Sequence, residues 1–538
     1  MNKFIFVSGG VCSSLGKGVA ASSIGALLES RGINVRLVKC DPYINVDAGT
    51  MNPYEHGEVY VTDDGAQTDL DLGNYARFTK GRLSQANSVT TGQVYESVIR
   101  KEREGQYNNQ CVQVIPHITD EIKSRIIAVL EEETDTDVVI IEIGGTVGDI
   151  ESIPFLEAAR QIINEHGKEN AVSVHLTLIP KVGGGELKTK PTQHSVKSMQ
   201  EMGIQPDILI CRSPMMLDEE TRRKIALFTN VDLSAVFTSP DINTTIYEEP
   251  IIFFDQKLDQ VLLKKIGVES RHADMGPWRS VMERFSARKD KIRVGIVGQY
   301  MKLQDAYKSL YESLFHASLE CSIEVELVKI DSSSLEETES TDKVLGSCGV
   351  DGILIPGGCG NNGINGMIKA AAWARKNKIP YLGICLGMQV MVIDWGRNVL
   401  NWTDADSSEF KPDKKYPVIS LLEEQNKDQN CRGKMRLGAY ETVIKEDTHL
   451  FTAYGKNQIK ERHRHCYGFS NQYREEMASS GLKLAAFSAD NKFVECVEWP
   501  NTEHPWGVGV QFHPEYKSKP TAASPIIRDF IAAVKKNK

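Results

Sequence analysis

The chain has 538 residues, of which 41% are hydrophobic and 25% are charged, and this composition predicts a globular protein with large buried cores. The 72 Asp and Glu residues outnumber the 63 Lys and Arg residues, and the formal charge of −9 excludes a protein that coats nucleic acid while leaving room for small anionic ligands. Because no apolar run approaches the roughly 18 residues of a membrane span, and because the eleven cysteines form no CxxC pair, we expect neither a membrane protein nor a disulfide framework, and we expect a cytoplasmic location.

Short apolar runs alternate with helix-like stretches from residue 1 to about residue 266. The first run, MNKFIFVSGG, is too short for a signal sequence and leads directly into a glycine turn, so we interpret it as a buried strand. Similar runs recur as NVRLVKCD, DVVIIEIGG, AVSVHLTLIP and DILICRS, separated by stretches such as AASSIGALLESRG and PFLEAARQIINEHG. This alternation predicts an α/β fold, with a parallel sheet and crossover helices.

A glycine-rich loop joins the first predicted strand to the first predicted helix in FVSGGVCSSLGKGVAASSIGALL. The unpaired amides of a helix N-terminus and the ammonium group of Lys17 would converge there on a phosphate chain. The strict P-loop pattern is not met, because five residues instead of four separate Gly10 from the Gly-Lys pair and Gly18 replaces Ser or Thr. A tight glycine turn with an exposed lysine therefore stays open as an alternative.

Two acidic residues in the same part of the chain are candidate metal ligands. Asp71 lies in QTDLDLGNY, and Glu142 ends the apolar run in DVVIIEIGG. Phosphate-bound Mg²⁺ prefers hard oxygen ligands, so the two carboxylates predict a metal site beside the lysine loop. Either residue taken alone is more often a solvated loop acid.

A basic loop, GGGELKTKPTQHS, follows the apolar run that ends near residue 180. Lys188 and Lys190 are two positions apart, and on an extended loop such side chains point the same way. With the hydroxyl and amide groups around them, they predict a second cluster for binding phosphate. A solvated basic loop is the alternative.

A polar stretch, VESRHADMGPWRSVMERFSARKDK, separates this series of predicted strands from a second one. The second series contains IRVGIVGQY, SIEVELVKID, GILIPGG, IPYLGICLG and GVGVQFHPEY. We interpret the polar stretch as a partly helical connection between two α/β domains.

Cys385 lies between two glycines in YLGICLGMQV, after an apolar run and before a predicted helix. A strand, a tight turn and a helix in this order form an elbow that exposes a nucleophile, and helix N-terminal amides favour its thiolate. His513 and Glu515 in QFHPE follow another buried run and supply a base and an orienting carboxylate. The turn in LIPGG adds amides that would receive an oxyanion. A packed core thiol is the alternative, but the three residues together favour a nucleophile.

Long motifs follow one another along the whole chain. The first part contains SSLGKG, KCDPYINVDAGTMNPYEHGEV, DLDLG, VQVIPHITDEIK, IEIGGTVGDIES, KTKPTQHSVK, GIQPDILICRS and KIALF, and the second contains DAYKS, YLGICLGMQ, MRLGA, ERHRH and QFHPE. In this order they resemble the CTP synthase family, glutamine-dependent amidotransferases that make CTP from UTP. The resemblance implies a P-loop-like, parallel-sheet amidoligase domain over residues 1–266, a linker over 267–291 and a class I glutamine amidotransferase domain over 292–538.

The resemblance also implies the nucleotide-binding residues. ATP would bind the lysine loop, near Lys39, through Ser14, Leu15, Gly16, Lys17, Gly18, Val19 and Asp71. Mg²⁺ would be held by Asp71 and Glu142. UTP, or CTP as inhibitor, would bind Ser13, Asp149, Ile150, Glu151, Lys188, Thr189, Lys190, Pro191, Thr192, Gln193 and Lys224.

In the second domain the resemblance implies a glutaminase. The catalytic triad would be Cys385, His513 and Glu515. The glutamine would be surrounded by Gly358, Leu386, Gly387, Met388, Gln389, Glu409 and the residue at position 466, which is Cys466 here. The implied partners are UTP, ATP and glutamine or ammonia, with Mg²⁺ as cofactor, GTP as allosteric activator, CTP as feedback inhibitor and a homotetramer as the assembly.

This chain departs from the family pattern mainly at the glutaminase. Cys359 replaces an aromatic residue and Asn362 an arginine, while Cys466 stands where an arginine is expected to meet the glutamine carboxylate and Gly468 where a glutamate is usual. Losing such a charged partner costs roughly tenfold to a hundredfold in affinity. We therefore expect weakened use of glutamine. In the first domain, Asn74 and Ala76 replace a histidine and a glutamate.

The sequence is also compatible with two other functions. A cobyrinic-acid-type amidotransferase pairs a similar ATP domain with a similar glutaminase but amidates a carboxylate, and it has no need of the basic KTKPTQ loop. A weakened scaffold or filament subunit would bind nucleotides and turn over little. The altered glutaminase residues favour the scaffold, and the intact nucleotide motifs oppose it.

Overall fold

The computed structural model describes the chain apart from Met1, Glu133, Ser270, Glu339, Cys359, Pro412 and residues 423–434, and apart from the side chains of Tyr54 and Gln304. Backbone packing divides it into two compact units. The first unit comprises Met1–Met51 and Thr68–Met282. The second comprises Glu283–Lys538 together with the short segment Asn52–Gln67. The domain boundaries at 266 and 292 stay predictions.

The chain up to Ser286 alternates strands with helices. Its strands are β1 (Lys3–Gly9), β2 (Val35–Asp41), β3 (Tyr60–Val61), β4 (Gln67–Thr68), β5 (Ser88–Thr90), β6 (Val138–Ile143), β7 (Ala171–Leu178), β8 (Lys181–Val182), β9 (Glu186–Leu187), β10 (Ile208–Ser213) and β11 (Val236–Pro240). Its helices are α1 (Lys17–Ser30), α2 (Pro53–His56), α3 (Asp71–Phe78), α4 (Thr91–Arg103), α5 (Thr119–Glu132), α6 (Ile153–His166), α7 (Lys190–Glu201), α8 (Glu219–Thr229), α9 (Glu249–Asp255), α10 (Leu258–Lys265) and α11 (Gly276–Ser286).

The remainder of the chain has the same alternation at first and then a run of strands. Its strands are β12 (Asp290–Gly298), β13 (Ile323–Asp331), β14 (Gly352–Ile355), β15 (Tyr381–Ile384), β16 (Ala405–Ser407), β17 (Tyr416–Leu421), β18 (Arg436–Ile444), β19 (Gln458–His465), β20 (Tyr467–Phe469), β21 (Lys483–Ser488), β22 (Val494–Glu498) and β23 (Gly507–Val510). Its helices are α12 (Lys308–Glu320), α13 (Ser332–Glu336), α14 (Thr341–Cys348), α15 (Ile364–Lys376), α16 (Leu386–Asn398), α17 (His449–Tyr454), α18 (Arg474–Ser479) and α19 (Pro525–Asn537).

A parallel sheet forms the centre of the first unit, in the strand order β11-β10-β7-β1-β6-β2-β5. All six residues of β6, with the sequence VVIIEI, are buried, as expected for a strand covered by helices on both faces. The chain places β6 and β7 on opposite sides of β1. The crevice at such a reversal, beyond the carboxyl ends of the strands, is where α/β sheets bind ligands.

A mixed sheet forms the centre of the second unit, in the order β13-β12-β14-β15-β23-β22-β21-β18-β19. The strands from β13 to β23 in this order are parallel, and those from β23 to β19 are antiparallel. The parallel strands and the helices that connect them in both units confirm the predicted α/β class. No helix in the described ranges is both long and apolar enough to cross a membrane.

Candidate active sites

The lysine loop lies at the carboxyl end of β1, where α1 begins. The backbone of Gly16 has φ 93°, a left-handed conformation that favours glycine, and helix α1 starts at the next residue. Lys17 Nζ donates a hydrogen bond to the carbonyl oxygen of Gly145 at 2.6 Å. Burial lowers the pKa of the Lys17 ammonium, and the carboxylate of Glu142 acts in the opposite direction. The loop thus presents helix N-terminal amides and one half-buried cation at the same end of the sheet.

Lys39 connects the two candidate metal ligands. It faces Glu142 across the β2–β6 pair, and its Nζ lies 3.0 Å from Glu142 Oε1. The same ammonium group forms an ion pair with Asp71, at the first residue of α3. Tyr75 donates its hydroxyl to the other oxygen of Glu142. The structure therefore brings both acids together at the ends of β2 and β6.

The environment of these acids sets their charge. Burial opposes ionisation of Asp71, but Lys39 outweighs it and lowers the pKa of Asp71. Burial and the nearby Asp71 charge raise the pKa of Glu142. Two further acids at this edge did not emerge from the sequence as site residues, although KCDPYIN and DLDLG contain them. Burial raises the pKa of Asp41 to about 6 and that of Asp69 to about 8.

The donor set at Asp71 and Glu142 fits Mg²⁺. Mg²⁺ usually takes one or two protein carboxylates and completes its shell with waters and substrate phosphates. A Cβ atom at Gly18 would lie 2.1 Å from Asp71 Oδ1, so the carboxylate lies directly against the first turn of the loop helix. The departure at Asn74 supports this arrangement, since its amide donates to Asp71 Oδ1 at 3.2 Å. Within the described part of the chain, no group of three or more His, Cys, Asp or Glu side chains is arranged to hold a metal by itself.

The predicted UTP residues other than Lys224 follow β1, β6 and β7, which are adjacent in the sheet, and Lys224 lies on α8, after the next strand β10. Ser13 and residues 149–151 are exposed, and Thr192 and Gln193 are buried in the first turns of α7. Lys190 Nζ lies 5.9 Å from the ring centroid of Phe228, one turn after Lys224 on α8. The basic loop and the lysine of α8 are therefore neighbours. Lys188 Nζ pairs with Glu186 at 2.6 Å on the surface.

A buried histidine links β1 to α7 beneath this edge, and sequence reasoning missed it. His175 Nδ1 lies 2.8 Å from the Ser8 hydroxyl, and its Nε2 lies 2.7 Å from the Ser195 hydroxyl. Burial, with a smaller contribution from Lys17, lowers the pKa of His175 to about 3. The ring is thus neutral and joins the strand of the lysine loop to the helix of the basic loop.

In the second unit, Cys385 forms the turn between β15 and α16. Its backbone has φ 52° and ψ −102°, which is strained for a residue with a Cβ atom. Its amide donates to the carbonyl oxygen of Val510 at 2.7 Å, so the turn is tied to the end of β23. This is the elbow that the sequence predicted.

The two other triad candidates follow β23. His513 Nδ1 lies 2.7 Å from Glu515 Oε1, and both side chains are buried. Burial lowers the pKa of His513, but Glu515 and Cys385 outweigh it and raise that pKa to about 10. A Cβ atom at Gly357 would lie 2.6 Å from the His513 ring and 3.6 Å from Cys385 Cβ. The three triad candidates and the glycine turn after β14 therefore meet at one point.

The predicted glutamine-binding residues lie around this point. Residues 386–389 form the buried first turn of α16, and Gln389 Nε2 donates to the carbonyl oxygen of Tyr467 at 3.0 Å. The carboxylate of Glu409, whose pKa burial raises, accepts from the amide of Gly360 at 3.4 Å.

The family departures are placed as follows. Cys466 is 7% exposed between β19 and β20, and Gly468 is buried in β20. Asn362 accepts a hydrogen bond from Gln299 Nε2 at 2.7 Å through its carbonyl oxygen. Cys359 lies outside the described residues.

Residues 52–67, which belong to the second unit, pack beside the triad candidates. The Tyr60 hydroxyl donates to the carbonyl oxygen of Tyr516 at 3.0 Å, and the Tyr516 ring stacks on the His513 ring with centroids 5.2 Å apart. Arg462 Nε donates to Asp63 at 2.6 Å. This packing is a second feature that the sequence did not reveal, because the segment lies among first-unit motifs.

Comparisons with known proteins agree along the whole chain. The family model described as CTP synthase N-terminus matches residues 3–268, and the model described as glutamine amidotransferase class-I matches residues 302–533. A CTP synthase from Carboxydothermus hydrogenoformans is 52% identical over 540 residues, covering 100% of both chains. A CTP synthase from Clostridium acetobutylicum is 51% identical over 530 residues, covering 98% of both.

A solved structure is similar to the second unit. The glutaminase domain of Trypanosoma brucei CTPS with bound acivicin is 35% identical, covering 46% of this chain and 94% of that one, with a TM-score of 0.43.

Proposed function

The chain belongs to the CTP synthase family, and from that premise we propose how its residues divide the reaction. The enzyme converts UTP to CTP with glutamine as the nitrogen source, and the family uses ATP and Mg²⁺. We assign nucleotide chemistry to the first unit and release of ammonia to the second. The observation that carries the assignment is the convergence of Lys17, Lys39, Asp71 and Glu142 at one edge of the first sheet.

In the first unit, ATP phosphorylates O4 of UTP. The γ-phosphoryl group moves to O4 and ADP leaves, so that a poor leaving group becomes phosphate; ammonia then attacks C4 and phosphate departs. Lys17 and the α1 amides offset the charge of the transferring phosphoryl group. Mg²⁺, held by Asp71 and Glu142, would supply further neutralisation of the phosphate oxygens.

The same edge of the sheet offers a place for UTP. We assign the uridine nucleotide, and CTP as inhibitor, to Ser13, the exposed residues 149–151 and the basic loop with Lys224. These residues follow neighbouring strands of the sheet or face them, so their cations lie together beside the ATP loop. Two triphosphates brought together need several cations, which a carboxylate substrate of the cobyrinic type would not require.

In the second unit, the Cys385 thiolate attacks the side-chain amide carbon of glutamine. His513 delivers a proton to the departing ammonia and then removes one from the water that hydrolyses the thioester, releasing glutamate. Glu515 holds the imidazole through Nδ1, which leaves Nε2 for this proton transfer. Because Gly357 lies next to His513 and Cys385, we assign the amides of the turn at Gly357 and Gly358 to binding of the oxyanion.

We further propose that glutamine use is weakened by Cys466 and Asn362, that GTP activates the glutaminase, and that the chain forms a homotetramer. Exposed apolar side chains on the first unit, including Leu227 at 80% and Phe228 at 54% exposure, support an assembly. We place the protein in a reducing cytoplasm, where the nine described thiols would persist.

One assay tests this proposal. CTP formation from UTP and ATP is measured with ammonia and with glutamine as alternative nitrogen donors. We expect full synthesis with ammonia and synthesis with a high glutamine KM. Failure to form CTP with either donor would overturn the assignment and favour a nucleotide-binding scaffold.

A further inference from the structure

A chain of buried amides ends on the sulfur of Cys385. Gln511 Nε2 donates to Cys385 Sγ at 3.6 Å, and Gln511 Oε1 accepts from Gln389 Nε2 at 3.4 Å. Gln389 Nε2 also donates to the carbonyl oxygen of Tyr467 at 3.0 Å. Gln511 and Gln389 are 1% and 3% exposed, and Cys385 is 4% exposed. Water therefore has little access to these hydrogen bonds.

The orientation of the Gln511 amide follows from this chain. A backbone carbonyl only accepts, so Tyr467 requires the NH₂ group of Gln389 to face it. The second N–H of that group then faces Gln511, whose Oε1 accepts the hydrogen bond. The NH₂ group of Gln511 is left facing the sulfur. The reversed amide would oppose two NH₂ groups and present an oxygen to a thiolate.

Backbone contacts hold Gln511 in place. The amide of Cys385 is bound to Val510, the residue before Gln511, and the amide of Gln511 donates to the carbonyl oxygen of Glu495 at 2.8 Å. The backbone at Gln511 is thus fixed relative to the elbow from both sides of β23.

The sulfur has different neighbours for its two protonation states. The carbonyl oxygen of Arg464, 3.9 Å from Sγ, can accept only from the protonated thiol. The amide of Gln511 donates to sulfur, and a donor favours the charged form, more strongly where water is excluded.

We propose that Gln511 is a catalytic hydrogen-bond donor that stabilises the Cys385 thiolate, both as the attacking nucleophile and as the leaving group when the thioester is hydrolysed. This inference rests on the proposed role of Cys385 as nucleophile. A hydrogen bond to a charged group in a protein is worth about 1.5–3 kcal/mol. We therefore expect loss of this donor to slow attack by the thiolate, and its departure from the thioester, by roughly tenfold to a hundredfold each.

The test is the pH dependence of Cys385 alkylation by iodoacetamide in the full-length protein, followed by mass spectrometry. Gln511→Met keeps the length of the side chain but removes the hydrogen-bond donor. We expect the midpoint pH of Cys385 alkylation to rise by about one to two units in this variant. Gln511→Glu places a carboxylate beside the sulfur, and the midpoint should rise further. The same titratable groups face the sulfur in all variants: the paired His513 and Glu515, and Tyr516.

Three controls separate the possible outcomes. Gln458→Met makes the same substitution on the exposed side of β19 and should leave the midpoint unchanged. Ammonia-dependent CTP synthesis should stay normal in each variant, and circular dichroism with a urea midpoint verifies that the second unit is folded. The kcat for glutamine hydrolysis should fall in Gln511→Met with little change in the glutamine KM. If Gln511 instead bound glutamine, the substitution would raise KM.

An unchanged midpoint in a folded Gln511→Met protein would overturn the inference. If that variant does not fold, an unchanged midpoint in Gln511→Glu would overturn it equally. Retention of glutamine hydrolysis by Cys385→Ala would instead overturn the proposed nucleophile, so the two failures are distinguishable.

Discussion

Lys17 is the residue on which the ATP assignment depends most directly. Its ammonium group is held against Gly145 beside the carboxylates of Asp71 and Glu142, and burial makes it responsive to an added phosphate charge. We predict that Lys17→Ala abolishes CTP formation with either nitrogen donor and leaves glutamine hydrolysis measurable. Steady-state assays of both activities provide the measurement.

The matched control is Lys123→Ala, a surface lysine of the same unit that pairs with Asp120 and Glu165. It should have normal activity. Normal ammonia-dependent synthesis in Lys17→Ala would remove the ATP-site assignment.

Cys466 is the departure with the clearest chemical expectation. A guanidinium at this position would pair bidentately with the glutamine α-carboxylate, which a neutral thiol cannot do. We predict that Cys466→Arg lowers the glutamine KM by roughly tenfold to a hundredfold and changes kcat little, because a contact made equally in ground and transition states affects binding alone.

Cys466→Gln separates charge from length, since it adds a long neutral side chain and should leave KM high. Ammonia-dependent synthesis should not change in either variant. An unchanged glutamine KM in folded Cys466→Arg would mean that another residue already holds the carboxylate.

At the scale of elements, His175 joins β1, β7 and α7 through Ser8 and Ser195. Its pKa of about 3 lies below the ordinary 6.5, so the unfolded chain takes up the proton first as pH falls. The contribution of His175 to stability is complete above about pH 6.5 and decreases by about 1.4 kcal/mol per pH unit toward pH 3.

We predict that His175→Gln, which keeps a hydrogen-bonding group but does not titrate, is less stable than the native chain at pH 7.5 and that the difference narrows at pH 5.5. Urea midpoints at the two pH values give the comparison. Parallel shifts in both proteins would show that the pKa of His175 is the same in the folded and unfolded states and would contradict this prediction.

Some strands could be predicted from the local sequence and others could not. The strands β1, β2, β6, β7 and β10 are apolar runs bounded by turns, and the structure confirms each of them. The antiparallel strands from β18 to β22 were not predicted, because their outer positions carry charged residues and their pairing is decided by distant partners.

In the candidate sites, too, local sequence predicted only the residues whose role does not depend on distant neighbours. Lys17, Cys385 and His513 stand in glycine turns or after strands, where local sequence indicates chemistry. His175 and Gln511 sit inside buried strands or directly after them, and only the neighbours that folding brings to them give them a role. Asp41 and Asp69 were quoted within motifs but acquire significance only from Lys39.

At the scale of the whole molecule, the assignment separates two activities between two units. If the thiolate of Cys385 serves only to release ammonia, Cys385→Ala should lose glutamine-dependent synthesis and keep ammonia-dependent synthesis. The measurement is CTP formation with each donor, with circular dichroism to verify folding. Cys385→Ser is the conservative comparison and should lose the same activity. Equal loss of both activities in a folded variant would contradict the division of labour.

The segment Asn52–Gln67 has a consequence for biosynthesis on the ribosome. Tyr60 is buried against Tyr516, which follows it by 456 residues. At about 5–20 residues per second, the segment emerges roughly 20–90 s before its partner. During that time Tyr60 lacks its native partners Tyr516 and Arg462, which are translated later. The second unit can therefore reach its native packing only after synthesis is nearly complete, even though part of it is translated first.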